Sequence, residues 1–184
     1  MTRMVHLCDE DRCIACASCI VACKVGHDIS VGVSRRKVYT LAEGTADEKS
    51  ISVACRHCAE PACMAVCPQA AITKRADGVV QTNKAMCISC KSCLDACPFG
   101  IPAFLEDAAG NIGPQEKCTF CAGGPNTEPF SEAEMKLYGQ NRLAEGKPPL
   151  CAAFCSTKAL LSGEEAVVRD ILDQRQARRY RMTS

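Results

Sequence analysis

The sequence predicts an α+β fold made of two interleaved modules with short β-hairpins and a C-terminal helix. Three observations predict it. Cysteines recur in four groups at short gaps, short runs rich in β-branched residues flank Asp–Gly or Gly–Asn turns, and an apolar stripe with helical spacing lies near the end of the chain. A cysteine loop, a helix and a small hairpin, repeated along the chain, would form each module.

The composition predicts a thin hydrophobic core. Aromatic residues make up only 4% of the 184 residues and tryptophan is absent, so few large side chains are available for packing. Something besides apolar burial must therefore stabilise the fold. The 17 cysteines are the candidates, either as crosslinks or as metal ligands.

Disulfides and zinc are the competing explanations of these cysteines. Disulfides are disfavoured because the count is odd, because no apolar signal region opens the chain, and because the cysteines crowd at gaps of two and three residues. Structural zinc sites usually pair two short hooks of two cysteines, about a dozen or more residues apart. The groups in this chain do not follow that pattern.

The four groups have the spacing of iron–sulfur ligands. In the first and third, two-residue gaps separate three cysteines and a three-residue gap leads to the fourth, as in bacterial ferredoxins. The second group is a widened copy, and the fourth is split. The groups are Cys13, Cys16, Cys19 and Cys23; Cys55, Cys58, Cys63 and Cys67; Cys87, Cys90, Cys93 and Cys97; and Cys118, Cys121, Cys151 and Cys155. They predict four [4Fe–4S] clusters, with the last cysteine of a group beginning a helix that leads to a different cluster.

Two further residues could enter a metal site. Cys8 lies outside the repeat, and we interpret it as a small buried hydrophobic residue near the first cluster, with substitution for another ligand as the alternative. His57 lies inside the second group. Because four cysteines are already present there, a surface or hydrogen-bonding histidine is favoured over a Rieske-like ligand.

The predicted strands are short. They cover residues 33–41, 72–74, 79–81, 101–105 and a segment from residue 112 onward. Asp77–Gly78 would join the second and third of these as a hairpin, and Gly110–Asn111 would join the last two. The long segment between Cys121 and Cys151 contains a predicted helix near residues 132–138, within a surface excursion or a tolerated insertion.

Residues 162–184 are predicted to form a C-terminal helix and basic tail. Ser162 could cap this helix, with Glu165 completing a capping box. The apolar stripe consists of Val167, Val168, Ile171 and Leu172. Favourable interaction with the helix dipole explains the arginines that follow, and a docking tail is the alternative.

The sequence predicts a protein without a catalytic site of its own. It contains no nucleophile–base pair, phosphate loop or nucleotide fingerprint. Its formal charge of +1 does not favour nucleic acid, and it lacks the roughly eighteen consecutive apolar residues of a membrane span. Clusters fully coordinated by cysteine leave no open position for a substrate. The predicted role is therefore electron transfer.

Four such groups, in this order and with the fourth split, resemble the iron–sulfur subunits of the molybdopterin oxidoreductase superfamily, over residues 3 to about 165. That superfamily includes the beta subunits of formate dehydrogenase, dimethyl sulfoxide reductase and polysulfide reductase. Two segments near the fourth group, KCTFCAGGP and YGQNRLAEGKPPLCAAFCSTKALL, are most similar to the small beta subunit of molybdenum- or tungsten-dependent formate dehydrogenases.

The resemblance implies that the groups exchange ligands. Cluster 1 would be held by Cys13, Cys16, Cys19 and Cys155; cluster 2 by Cys55, Cys58, Cys63 and Cys97; cluster 3 by Cys87, Cys90, Cys93 and Cys67; and cluster 4 by Cys118, Cys121, Cys151 and Cys23. Residues 1–50 and 106–165 would form one ferredoxin-like module, and residues 51–105 the other.

The resemblance also implies partners. These are a large catalytic subunit with a molybdenum or tungsten bis-pterin and a downstream acceptor, such as a cytochrome subunit. The compartment, cytoplasm or periplasm, would depend on a signal-bearing partner. Two alternatives stay open: the same kind of subunit serving an aldehyde oxidoreductase, a hydrogenase or a sulfur-compound reductase, and a freestanding polyferredoxin shuttle.

Overall fold

Short antiparallel sheets and short helices surround the cysteine groups. This computed structural model describes residues 3–125 and 131–182. In sequence order the elements are β1 (Met4–Cys8), α1 (Ser18–Gly26), β2 (Arg36–Leu41), β3 (Lys49–Ala54), α2 (Ala62–Ala65), β4 (Ile72–Lys74), β5 (Val80–Thr82), α3 (Ser92–Asp95), α4 (Glu132–Tyr138), α5 (Leu150–Ala153), β6 (Leu160–Glu164) and α6 (Glu165–Met182). The strands pair as β1–β6, β2–β3 and β4–β5. The predicted α+β class is therefore confirmed, whereas the division into two interleaved modules stays a prediction.

The β4–β5 hairpin is the element that the sequence predicted best. Ile72 pairs with Thr82, and Lys74 with Val80, within one residue of the predicted bounds. Asp77 accepts a hydrogen bond from the Val79 amide at 3.1 Å. Gly78 adopts a φ of 81°, which a glycine reaches without steric cost. Local turn chemistry therefore determines this hairpin.

The β2–β3 hairpin was predicted only in part. The strand predicted over residues 33–41 is present as β2, but its partner β3 was missed. In β3 the buried side chains are Ser50, Ser52 and Ala54, whereas Ile51 and Val53 lie on the more exposed face. The usual alternation of apolar residues inward and polar residues outward is reversed here. A strand whose buried face is polar gives no recognisable signal.

The β1–β6 pair was not predicted, and it corrects the predicted start of the C-terminal helix. Met4 pairs with Glu164 and Cys8 with Leu160, so Ser162 lies in a strand. The Ser162 hydroxyl lies 2.5 Å from His6 Nδ1 and does not cap a helix. The predicted capping box is therefore wrong, and α6 begins at Glu165, directly after β6.

The pairing predicted between residues 101–105 and the segment from Ile112 is present only as isolated bridges. Ala103 pairs with Glu116, and Glu106 pairs with Ile112. The prediction of two strands is therefore wrong, although the antiparallel contact exists. The helix predicted near residues 132–138 is confirmed as α4, and a capping box between Ser131 and Glu134 begins it.

Four helices begin next to cysteines, but not where the sequence placed them. The third cysteine of the first three groups, and Cys151 of the fourth, lies in the first turn of α1, α2, α3 or α5. The last cysteine of a group was predicted to begin a helix, and that prediction is wrong. Cys23 lies inside α1, while Cys67, Cys97 and Cys155 follow their helices.

The hydrophobic core is divided into small clusters that contain cysteines. One consists of Cys19, Cys151, Cys155, Ala159 and Leu160, and another of Ile72, Val80 and Cys93. A third consists of Val79, Phe120 and Ala122. Within residues 3–125 and 131–182, no helix has both the length and the apolar character of a membrane span.

Candidate metal centres

Four cavities of similar size are each lined by at least four cysteines. They enclose about 340, 360, 330 and 290 Å³, and we number them 1 to 4 in that order. Cavity 1 contains Cys13, Cys16, Cys19 and Cys155; cavity 2 Cys55, Cys58, Cys63 and Cys97; cavity 3 Cys67, Cys87, Cys90 and Cys93; and cavity 4 Cys23, Cys118, Cys121 and Cys151. All 17 cysteines are free thiols. The structure therefore brings together all sixteen predicted ligands.

Each group contributes three cysteines to one cavity and one cysteine to another. The exchange joins groups one and four through Cys23 and Cys155. It joins groups two and three through Cys67 and Cys97. Residues that are far apart in sequence thus line the same cavity. Which four cysteines hold each cluster stays a prediction.

The loops between the cysteines have an unusual backbone conformation. Between the first two cysteines of each group, the residue just before the second cysteine has a positive φ: 54° at Ala15, 43° at His57, 59° at Ser89 and 58° at Phe120. Left-handed residues other than glycine are uncommon and cost energy. Backbone that alternates in this way turns successive N–H groups toward one point and forms a concave nest typical of iron–sulfur sites. The four residue types share no feature that could have predicted it.

Backbone amides donate hydrogen bonds to several of the sulfur atoms. The Phe120 amide donates to Cys118 at 3.3 Å, and the Leu150 amide donates to Cys121 at 3.4 Å. In cavity 3 the Gln115 amide donates to Cys87 Sγ at 3.4 Å. These N–H groups would stabilise negative charge on sulfur. A sulfur-only donor set with N–H groups directed at it fits an iron–sulfur cluster.

Burial determines the protonation of the free thiols. It raises the pKa of Cys23 and Cys63 to about 11 and that of Cys121 to about 12. Without metal these side chains are therefore neutral near pH 7. A bound metal core supplies the positive charge that makes thiolates stable there, so binding would release protons.

Two cysteines are exposed, and both have a serine two residues later. The Ser18 hydroxyl lies 3.4 Å from Cys16 Sγ, and the Ser92 hydroxyl lies 3.5 Å from Cys90 Sγ. Hydrogen bonding by these serines lowers the pKa of both thiols. Cavities 1 and 3 therefore come closest to the surface, each through one cysteine.

His57 is fully buried, so the surface position allowed by the sequence is wrong and the hydrogen-bonding role is right. Its Nδ1 accepts a hydrogen bond from the Val80 amide at 3.0 Å. Phe120 packs against both His57 and His6, with ring centroids 5.5 and 4.3 Å away. His6 Nε2 also lies 3.4 Å from Cys118 Sγ. Burial lowers the pKa of both histidines, so they are neutral near pH 7.

Cys8 lines cavity 1 as a fifth thiol, half-buried rather than buried as predicted. The Ser52 amide lies 3.4 Å from its sulfur and donates to it. Burial raises the pKa of Cys8 to about 11. This position fits the predicted neighbour of the first cluster.

Three buried polar residues near the sulfur atoms were missed by sequence reasoning. Arg36 Nη2 lies 3.3 Å from Cys151 Sγ, the Ser52 hydroxyl lies 3.2 Å from Cys19 Sγ, and Gln115 Nε2 lies 2.7 Å from Cys93 Sγ. None belongs to a cysteine group. No signal in the sequence distinguishes them from surface polar residues.

Comparison with known proteins identifies relatives with the same kind of site. A family model described as a 4Fe-4S dicluster domain matches residues 47–165. The formate dehydrogenase iron-sulfur subunit of Wolinella succinogenes is 54% identical, over 96% of this chain and 89% of that protein. The thiosulfate reductase electron transfer subunit of Salmonella typhi is 36% identical, over 88% of this chain and 76% of that protein. One subunit of the anaerobic dimethyl sulfoxide reductase of Escherichia coli is 34% identical, over 83% and 69%.

These matches cover the cysteine groups that line the four cavities, and they confirm the resemblance predicted from the spacing of those groups. This chain is a member of the 4Fe-4S dicluster family and belongs among the iron–sulfur subunits related to those of formate dehydrogenase, thiosulfate reductase and dimethyl sulfoxide reductase.

Proposed function

We propose that this chain is the electron-transfer subunit of a formate dehydrogenase and that it holds four [4Fe–4S] clusters. The observation that carries the proposal is the presence of four cavities, each lined by cysteines from two groups. The 54% identity to a formate dehydrogenase iron-sulfur subunit supports formate as the substrate of the complex.

Each cavity would hold one cluster through the four cysteines exchanged between groups. Cluster 1 would bind Cys13, Cys16, Cys19 and Cys155; cluster 2 Cys55, Cys58, Cys63 and Cys97; cluster 3 Cys67, Cys87, Cys90 and Cys93; and cluster 4 Cys23, Cys118, Cys121 and Cys151. The exchange within each pair of groups supports two modules, residues 1–50 with 106–165 and residues 51–105. Every cluster would then link two distant parts of the chain.

A bound [4Fe–4S] cluster supplies one-electron oxidation and reduction. The side chains and amides of this chain determine how readily that electron is accepted. Amide groups donate hydrogen bonds to Cys118 and Cys121, and the low exposure of Cys151 keeps water from cavity 4. Hydrogen bonding and exclusion of water are two means by which a protein adjusts a cluster's potential.

The chain would have no catalytic residue of its own. Formate oxidation releases two electrons and one proton, and a partner subunit with a molybdenum or tungsten bis-pterin would carry out that step. The two electrons would pass singly through this chain to an acceptor, such as a cytochrome subunit. Cys16 and Cys90 are exposed, so cavities 1 and 3 lie nearest to possible partners.

Metal analysis of single variants tests the cluster count. The anaerobically purified wild-type chain should contain about 16 iron atoms, as expected for four [4Fe–4S] clusters. The Cys118→Ser variant should lose the iron of one cluster, whereas Cys8→Ser should keep all of it. An unchanged iron content in Cys118→Ser, or zinc in place of iron in the wild type, would refute the ligand assignment.

The identity of the partner is tested on the native complex. Formate added anaerobically should bleach the broad visible absorption of the clusters, and dithionite should then produce little further change. Bleaching by dithionite alone, with a pterin-containing subunit shown to be present, would refute the formate assignment. Reoxidation by thiosulfate or dimethyl sulfoxide would instead favour a reductase of the kind to which two of the relatives belong. Purification without any large subunit would favour a freestanding shuttle.

A further inference from the structure

Arg36 connects two of the cysteine cavities through hydrogen bonds. It is the first residue of β2, and only 2% of it is exposed. Its Nη2 donates to Cys151 Sγ in cavity 4 at 3.3 Å, and its Nη1 donates to the Ser52 hydroxyl at 3.0 Å. That hydroxyl lies 3.2 Å from Cys19 Sγ in cavity 1. A single buried cation therefore reaches sulfur in both cavities, once directly and once through Ser52.

The charge of Arg36 is not neutralised by a carboxylate. Its neighbour Arg35 is also buried, but it forms an ion pair with Glu116 at 2.6 Å. The ion pairs within residues 3–125 and 131–182 do not include Arg36. A buried guanidinium without a counterion is costly, so a negative charge must come from elsewhere. The sulfur ligands of cavities 1 and 4 are the groups positioned to supply it.

The electrostatics of Arg36 support this pairing. Burial by itself lowers the pKa of Arg36, but negative charge on Cys151, Cys118 and Cys19 outweighs burial and raises it. The surroundings of the two cavities differ. Cavity 4 is lined by Arg35 and Arg36, whereas the side chains that line cavity 1 carry no fixed positive charge. Arg36 therefore acts directly on cavity 4 and mainly through Ser52 on cavity 1.

We propose that Arg36 sets the reduction potential of cluster 4 and, through Ser52, adjusts that of cluster 1; this inference rests on the proposed function. Reduction adds one electron to a cluster, so the charge of the cluster and its four thiolates becomes one unit more negative. A fixed positive charge at hydrogen-bond distance from a ligand sulfur favours that more negative state. Arg36 is thus a positioning residue that makes cluster 4 easier to reduce.

The test is a potentiometric titration of the anaerobic holoprotein, with dithionite as the one-electron donor and electron paramagnetic resonance as the readout. Arg36→Gln keeps N–H donors but removes the charge. It should lower the ratio of reduced to oxidised cluster 4 about tenfold at a fixed potential, a shift of about 59 mV for one electron. Arg36→Lys keeps the charge and should shift much less.

Lys37 provides a matched control on the same strand. It is the next residue of β2, its side chain is exposed, and Lys37→Gln removes the same charge as Arg36→Gln. Since solvent and salt screen an exposed charge, this variant should leave all four potentials unchanged. Ser52→Ala should lower the potential of cluster 1 more than that of cluster 4, because it removes the hydroxyl beside Cys19.

The outcomes separate this inference from the proposed function. An iron-free wild-type chain would refute both. Four clusters with unchanged potentials in Arg36→Gln, or equal shifts in Arg36→Gln and Lys37→Gln, would refute only the role of Arg36. If Arg36→Gln lost cluster 4 while Arg36→Lys retained it, the need for charge at this position would be supported, and Ser52→Ala would then supply the potential measurement.

Discussion

At the scale of single residues, side-chain hydrogen bonds to sulfur distinguish one cavity from another. Gln115 is buried, and its Nε2 donates to Cys93 Sγ at 2.7 Å. The Thr82 hydroxyl donates to Gln115 Oε1 and fixes the orientation of the amide, so that its NH2 group points at the sulfur. Hydrogen bonds to sulfur stabilise the more negative, reduced state of a cluster. Gln115 should therefore raise the potential of cluster 3.

Gln115→Leu tests this role. The variant has a side chain of similar size without the hydrogen bond, and it should disfavour reduction of cluster 3 by about 1 kcal/mol, or about fivefold in the reduced fraction. Potentiometric titration should show one shifted cluster and three unchanged ones. Gln69→Leu is the control, because Gln69 is an exposed residue that lines the same cavity. Equal shifts in the two variants would contradict the specific role of Gln115.

The sequence predicted the ligand residues but not the residues around them. The cysteines were identifiable because ligand spacing is local and regular. Ser52 and Gln115 act across 33 and 22 residues of sequence, on Cys19 and Cys93. Their residue types are equally at home on a protein surface. Contacts of this kind depend on tertiary structure, so spacing alone could not predict them.

At the scale of the elements, helix α6 packs on the β1–β6 pair through one side. Val168 and Leu172 are buried and half-buried on that side, and Arg175 and Arg179 continue it at helical spacing. Both arginines form ion pairs with Asp9, whose side chain is 1% exposed, at 3.3 and 2.7 Å. The explanation of these two arginines by the helix dipole alone is therefore incomplete, since a buried carboxylate binds them.

Asp9→Asn should loosen the last two turns of α6. The substitution removes the negative charge that pairs with two arginines, and we expect local protection to fall by about 2 kcal/mol. This value is smaller than for a fully buried pair because both arginines are partly exposed. Amide hydrogen exchange of α6 in the holoprotein measures it. Arg169→Gln breaks only the exposed pair with Glu165 and should cost less than about 0.5 kcal/mol.

Equal loss of protection in Asp9→Asn and Arg169→Gln would show that Asp9 does not hold the helix in place. A change confined to the first turn of α6 would have the same meaning, because Arg175 and Arg179 lie in its second half.

The elements themselves were predictable only where the local sequence determined them. The β4–β5 hairpin has Asp77–Gly78 at its turn, and α4 has the Ser131–Glu134 capping box, so both were found. Strand β1 pairs with a strand more than 150 residues later, and β3 buries serines. Neither strand has the alternation that indicates a half-buried strand with an apolar face. Long-range pairing and polar burial around metal ligands account for these misses.

At the scale of the whole molecule, the clusters would replace much of a conventional core. Cysteines form part of two of the three hydrophobic clusters. Apart from Phe120, these two clusters and the third have aliphatic side chains or cysteine as their buried members. So little apolar burial does not offset the conformational entropy lost by about 180 residues on folding. Metal binding must then contribute to folding itself.

The protein without its clusters should therefore be largely unfolded. Anaerobic treatment with ferricyanide and a chelator would remove iron at neutral pH, and chelator alone would serve as the control that leaves the clusters in place. Far-ultraviolet circular dichroism should lose most of its helical signal, and the amides of α1 and of the β1–β6 pair should lose their protection from exchange. Because groups one and four share cavities 1 and 4, both ends of the chain should lose order together. A metal-free chain that kept native protection in α6 would show that apolar packing and the Asp9 ion pairs suffice to hold this fold.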